Sequence, residues 1–139
     1  MSDIVMDTHV LMAAQRSGGG ASRLLLRQVL KGRFRPVFGN ALWAGYEELL
    51  GRDVWGTSTT PQERQTLLAA LARQGRWVSV HFAWRPNLPD EANNHLIELA
   101  VAAGASAIIT HNLRDLGRGE LRWAQLRILT PVQFLEQHP

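Results

Sequence analysis

Asp3-Ile4-Val5-Met6-Asp7-Thr8-His9-Val10-Leu11-Met12-Ala13-Ala14 opens on an apolar run, interrupts it with one acid, and resumes at helical rhythm. Asp3 to Met6 reads as a short strand and Thr8 to Ala14 as a short helix, so the order is strand, acid, helix. In open α/β folds, ligands gather beyond the carboxyl ends of the strands, and an acid directly after the first strand stands at that edge. The competing role is ordinary: Asp7 or Thr8 can cap the helix by accepting from its first amides.

Working outward, Ser17 to Gly20 is a flexible break, after which Leu24, Leu25, Val29 and Leu30 fall at helical spacing among Arg23, Arg27, Lys31, Arg33 and Arg35. Pro36 to Phe38 reads as a second strand. Leu42, Tyr46, Leu49 and Leu50 make one face of a third helix that Gly51 stops. Thr60-Pro61-Gln62-Glu63 combines a capping threonine, proline at the first helical position and glutamate at the third, which starts a helix running to about Gln74. Trp77 to Val80 reads as a buried strand, and Ala83 to Pro89 as a proline-punctuated loop. Asp90 can cap the next helix, whose apolar face is Leu96, Leu99, Ala100 and Ala103 and whose end is Gly104. Ala107 to Ile109 and Leu126 to Leu129 complete the strands, and Thr130-Pro131 opens a last short helix through Phe134 and Leu135. Helices alternating with short apolar strands predict a three-layer α/β/α domain over residues 1–139, with a mostly parallel sheet of four or five strands.

Composition narrows the chemistry. Cysteine is absent, which removes disulfide frameworks and thiolate chemistry, so a metal here is held by oxygen or imidazole. No stretch approaches the roughly 20 apolar residues that span a bilayer. The N-terminus lacks the basic and apolar regions of a secretion signal, and the expectation is a cytoplasmic protein with no membrane partner. Net charge is +3, and 14 of the 15 basic residues are arginine. The planar guanidinium suits phosphate, which makes nucleic acid a natural partner, although arginine also reflects genomic base composition.

Val5-Met6-Asp7-Thr8-His9, then Phe38-Gly39-Asn40-Ala41-Leu42, then Ala100 to Asp115 follow one another in an order and spacing that resembles the PIN family. Asn93-Asn94-His95-Leu96, Gly104-Ala105 and Ile109-Thr110-His111-Asn112-Leu113-Arg114-Asp115, with the closing Ile128 to Leu135, are similar to the second half of VapC-like toxin components of that family. The resemblance covers nearly the whole chain. It implies a PIN-like fold and hydrolysis of RNA, single-stranded or structured, by water activated at one or two Mg2+ or Mn2+ ions held by three or four carboxylates. Hard divalent cations prefer oxygen ligands, and a bound ion lowers the pKa of water and neutralises charge on phosphate. A cognate antitoxin is the protein partner it implies, and Leu24 to Leu26 beside the arginines offer a surface for an antitoxin or for a homodimer.

Carried over by position, Asp7 matches the family's first acid and Asn40 its usual serine or threonine. Five positions past Asn40, where the family has glutamate, stands Gly45. The third acid aligns with Asn93 and the fourth with Asn112, where related proteins often carry asparagine with an acid three residues later; Asp115 fills that place. The expected catalytic set is therefore Asp7, Asp115, Asn93 and Asn112, with Asp7 and Asp115 on the metal and Asp90 and Glu48 as substitute ligands. Glu48 lies about 60° around the helix from Gly45, nearer than Glu47, and needs a shifted backbone to reach the site. Substrate-binding candidates are Asn40, Thr110 and Arg114, joined by Arg23 and Arg27 along the second helix. His9, His95 and His111 show no i, i+4 pairing on one helix and are assigned no catalytic role. The five tryptophans could stack bases, but their scatter favours packing.

Two other classes compete with the nuclease. Gly45 and Asn93 motivate a catalytically lapsed PIN scaffold that binds RNA or a protein without cutting. A receiver-like signalling domain also carries an acid near its first strand, but it requires a phosphorylatable Asp after the third, where this chain has His81-Phe82-Ala83.

Overall fold

The computed structural model describes residues 2–16, 20–52, 59–80, 94–111 and 126–139. Among them are five strands, β1 (Ser2–Met6), β2 (Phe34–Phe38), β3 (Arg76–Trp77), β4 (Ala107–Ile109) and β5 (Arg127–Leu129). Six helices accompany them: α1 (Thr8–Gln15), α2 (Gly20–Leu30), α3 (Asn40–Gly51), α4 (Pro61–Gln74), α5 (Asn94–Ala103) and α6 (Pro131–Gln137). The strands form one all-parallel sheet in the order β3-β2-β1-β4-β5. The α/β architecture expected from the alternation is therefore present. A receiver domain follows the flavodoxin-like order 2-1-3-4-5, which this sheet does not.

β1 is the central strand, paired with β2 through Ile4 and Pro36 and with β4 through Ile4–Ala107, Val5–Ile108 and Met6–Ile109. Its Ile4, Val5 and Met6 are all buried, as a strand covered on both faces requires. Pro36 lies inside β2, and the ladder to β3 starts one residue later, at Val37. Helices are fixed by local signals. Thr60 and Thr130 each accept from the amide three residues on, while Glu63 and Gln133 reach back to the capping amides, so α4 and α6 begin with full capping boxes. α5 ends at Gly104, whose φ of 65° lies in the left-handed region that favours glycine.

Two expectations are corrected. On α2 the buried residues are Ser22, Leu25, Leu26 and Val29, while Leu24 is 48% exposed. The apolar stripe is rotated by the packing of α2 against α1, α4 and α6. The third strand is not a buried run from Trp77 to Val80. It comprises only Arg76 and Trp77 at the sheet edge, and Trp77 is 51% exposed. Trp77 covers part of its ring against Phe38 and Trp43 instead. The loop Ala83 to Pro89 lies outside the described residues.

At the amino edge of the sheet, Asp3 is gripped by two arginines. Arg35 donates from Nε to Oδ1 at 2.7 Å and from Nη2 to Oδ2 at 3.1 Å, and Arg76 Nη2 donates to Oδ2 at 2.8 Å. Arg76 also donates to Ala103 O at the end of α5, joining β1, β2, β3 and α5. The Arg35 hydrogen bond holds the Asp3 carboxyl below its ordinary pKa, against the effect of burial. Its contribution to stability is therefore present above the ordinary value of 3.8 and is lost as pH falls through the lowered folded value. Asp3→Ala is expected to cost about 2 kcal/mol at neutral pH, the arginines' partial exposure limiting the loss. Urea unfolding of both proteins should show the difference shrinking below pH 4; a pH-independent difference would mean that packing, not charge, is lost.

Candidate active site

Both central strands end at the same edge, and the residues that follow them meet there. The Asp7 amide donates to Ile109 O at 2.9 Å, extending the β1–β4 ladder one residue past the strands. The Thr110 amide donates to Leu129 O at 2.9 Å, tying β5 into the same edge. Thr110, which is fully buried, then donates from Oγ1 to Asp7 Oδ2 at 2.8 Å.

Asp7 occupies the N-cap position of α1, with φ −60° and ψ 149°, but its side chain makes no capping hydrogen bond. The backbone carbonyl of Asp7 accepts from Val10 and Leu11 instead, leaving the carboxylate to Thr110. Among the described residues no lysine or arginine pairs with it. Asp7 thus differs from Asp3 at the other end of the strand: it is oriented by the fold, and no basic side chain among the described residues neutralises it.

Tyr46 of α3 lies fully buried beneath, donating its hydroxyl to Met6 O at 2.6 Å. Burial first, and the Asp7 charge second, push the phenol pKa well above its ordinary range, so Tyr46 is a fixed donor at the end of β1. His95 is the second residue of α5. A helix joining parallel strands runs against them, so α5 starts at the carboxyl edge and ends near Asp3. Burial lowers the His95 pKa, and the charges of Asp7 and Glu98 oppose that shift without reversing it. Among the described residues the buried His95 Nδ1 has no hydrogen-bond partner, a state that costs about 1–3 kcal/mol. His111, following Thr110, shares a hydrogen bond of 3.1 Å from its Nε2 with Oγ of the buried Ser22.

The remaining expected residues divide clearly. Asp90, Asn93, Asn112, Arg114 and Asp115 lie outside the described residues. Thr110 is at the site, but as a buried group that holds Asp7. Asn40 is exposed at the start of α3, one residue past the Gly39 cap. Glu48 points to solvent and pairs with Arg52 at 2.5 Å along α3, which engages the carboxylate expected to substitute for the missing acid. Arg23 closes α1, donating from Nε to Ala14 O at 3.2 Å and from Nη2 to Arg16 O at 2.6 Å. Arg27 is exposed. Sequence reasoning assigns His95 no role; the signal that could have found it is its place at the start of the helix leading into β4, on the edge where Asp7 stands.

Gly45 has a structural explanation. A Cβ built there would lie 3.2 Å from Thr8 Oγ1, so α3 and α1 approach closely at the position where the family resemblance implies a glutamate. Among the described residues no three His, Asp or Glu side chains gather tightly enough to hold a metal. The described donors still suit a divalent cation: a carboxylate with no basic partner and a buried imidazole nitrogen with no hydrogen bond among the described residues. Magnesium binds through one or two carboxylates and several waters, so a partial set of this kind is chemically sufficient.

An α/β sheet with an oriented acid beyond its central strand defines a class, and the comparisons identify it. Residues 3–114 match the PIN domain family, and the chain belongs to that family. A solved structure with the same fold is a chain of VapBC2 from Rickettsia felis, bound to a DNA fragment from their promoter. It is 10% identical, with a TM-score of 0.57 over 91% of this chain and 96% of that one. No curated protein matches the sequence.

The close approach of α1 and α3 makes a measurable prediction. Gly45→Ala alone sets a helix-propensity gain of about 1 kcal/mol against the crowding of Thr8. In a Thr8→Ala background that gain should appear in full, and thermal unfolding of the four proteins in the cycle measures the difference. Equal effects in both backgrounds would show that Thr8 is not what keeps position 45 small.

Proposed function

We propose that this chain is a divalent-metal-dependent endoribonuclease of PIN type, acting as the toxin of a toxin–antitoxin pair. The observation that carries the proposal is the Asp7 carboxylate: oriented by Thr110, free of a capping role and without a basic partner among the described residues, at the carboxyl edge of a PIN-family sheet. Asp7 would hold Mg2+ or Mn2+, with Asp115, Asn93 and Asn112 as the further ligands the sequence resemblance implies. The ion would supply a water of lowered pKa and neutralise charge at the phosphate. Thr110 fixes one carboxylate oxygen and leaves the other for coordination. Tyr46 holds the backbone immediately before Asp7. Arg114, Arg27 and Asn40 would meet the RNA, while Arg23, engaged with the end of α1, would contribute through its charge alone. The resemblance of the second half to toxin components, together with the VapBC2 neighbour bound to promoter DNA, supports a cognate antitoxin as partner.

A second function is favoured by one specific observation. Gly45 stands where the resemblance implies the family's second acid, and Thr8 Oγ1 lies 3.2 Å from where a Cβ there would be. A scaffold lapsed in catalysis would still bind RNA or a protein.

Cleavage of single-stranded RNA with Mg2+ or Mn2+ separates the two. Wild type should cut, Asp7→Asn should lose at least about 100-fold, and Thr110→Val, which frees the carboxylate, about 10-fold or more. Cleavage indifferent to Asp7 would defeat the nuclease mechanism. The lapsed scaffold instead predicts that Gly45→Glu with Asn93→Asp, in a Thr8→Ala background that admits the larger side chain, gains metal affinity and activity that the wild type lacks.

A further inference from the structure

Among the described residues two buried side-chain nitrogens have no hydrogen-bond partner, Arg76 Nε and His95 Nδ1. The first belongs to a guanidinium whose Nη2 already bridges Asp3 and Ala103. The second belongs to a ring that makes no hydrogen bond among the described residues. Folded proteins rarely leave such an atom unpaired, and where they do, a bound ion, a water or a chemical role accounts for it.

The surroundings of His95 discriminate among these. α5 packs on β1 and β4, the strands whose ends carry Asp7 and Thr110, and His95 stands at the end of α5 nearest that edge. The Asp7 charge is close enough to act on the imidazole ring. A neutral imidazole offers a lone pair, which is the form that binds metals. Thr110 occupies one oxygen of Asp7, and no described base neutralises it. An unpaired nitrogen donor and an unneutralised oxygen donor therefore sit at one edge of the sheet.

We propose that His95 Nδ1 is a ligand to the divalent cation at Asp7, forming a mixed nitrogen and oxygen site that favours imidazole-accepting ions such as Mn2+ and Co2+ over Mg2+. The proposal rests on the assignment of Asp7 as a cation ligand. It changes the chemistry of the site, because carboxylate and water alone suit Mg2+, whereas an imidazole raises affinity along the series from Mn2+ to Co2+ and Ni2+. A nitrogen ligand would also offset part of what Gly45 removes from the oxygen set.

The test is calorimetric titration of the full chain with Mg2+, Mn2+ and Co2+, for wild type, His95→Phe, His95→Gln and Asp7→Asn, with metal-free melting curves confirming that each variant folds. His95→Gln serves if the phenylalanine does not fit. The expected result is a loss of about 10- to 100-fold in Co2+ and Mn2+ affinity on replacing His95, with a smaller change for Mg2+. The visible spectrum of the Co2+ protein should shift in the same variants. A merely structural histidine would weaken all three ions alike and leave the spectrum in place, which overturns the proposal. If His95 variants keep the wild-type ion preference while Asp7→Asn abolishes binding, the imidazole is not a ligand and the assignment of Asp7 survives. If Asp7→Asn binds every ion as wild type does, or wild type takes up none, both fail together.

Discussion

The bond between Thr110 Oγ1 and Asp7 Oδ2 joins residues 103 positions apart, and the candidate site depends on it. It forms only because β1 and β4 lie side by side in parallel register, with Met6 opposite Ile109 and both chains leaving the sheet at one edge. The amide of Asp7 and the carbonyl of Ile109 continue that pairing past the last strand residue, which fixes where the carboxylate points. Side chains alternate faces along a strand, so a slip of one residue would turn Asp7 away from Thr110 and put Ile4, Val5 and Met6 on the wrong sides of the core. Burial of those three residues therefore stabilises the register, and the register orients the acid.

Asp3 and Asp7 stand four residues apart, near the two ends of β1, and comparing them separates structural from chemical roles. Asp3, at the amino edge, is matched by two guanidinium groups and ties three strands to α5. A poorly solvated carboxylate is tolerated when it is paired in this way. Asp7 receives one neutral hydrogen bond and no opposite charge among the described residues. The fold supplies arginines generously, and two of them balance the acid that only holds the sheet together. An acid kept oriented without such balance at the ligand-binding edge of the sheet fits a cation arriving from outside.

What can be read from the chain follows the range of the interactions involved. The capping boxes at Thr60 and Thr130 each involve residues three positions apart, so the starts of α4 and α6 are legible. The apolar cores of β1 and β4 are legible from their composition. The exposure of Trp77 is not, because a short apolar run looks alike whether its strand lies at the edge or the centre, and strand order is set by contacts across the whole chain. The choice between cap and site for Asp7 is likewise open in the sequence, since Thr110 is distant along the chain. Glu48 looks available only while Arg52, one helical turn away, is overlooked; that guanidinium competes for the carboxylate more directly than any site across the sheet. His95 lies in a stretch that carries the family resemblance, but nothing there marks its imidazole; its interest arises from a buried nitrogen unpaired among the described residues, which only packing creates.

Gly45 links the site's composition to its shape. A side chain at position 45 would press on Thr8 Oγ1, 3.2 Å from where its Cβ would lie, so the glycine and the close approach of α1 to α3 go together. The consequence is directional. From α3 the described groups are a buried phenol committed to Met6 O, a glycine, and a glutamate held by Arg52 at the surface, none of them placed as a ligand. From β4 and α5 come Thr110, which orients the carboxylate, and His95, whose Nδ1 has no hydrogen-bond partner among the described residues. On the proposed reading, the described groups that would meet a cation at Asp7 come from β1 and the start of α5, and none comes from α3.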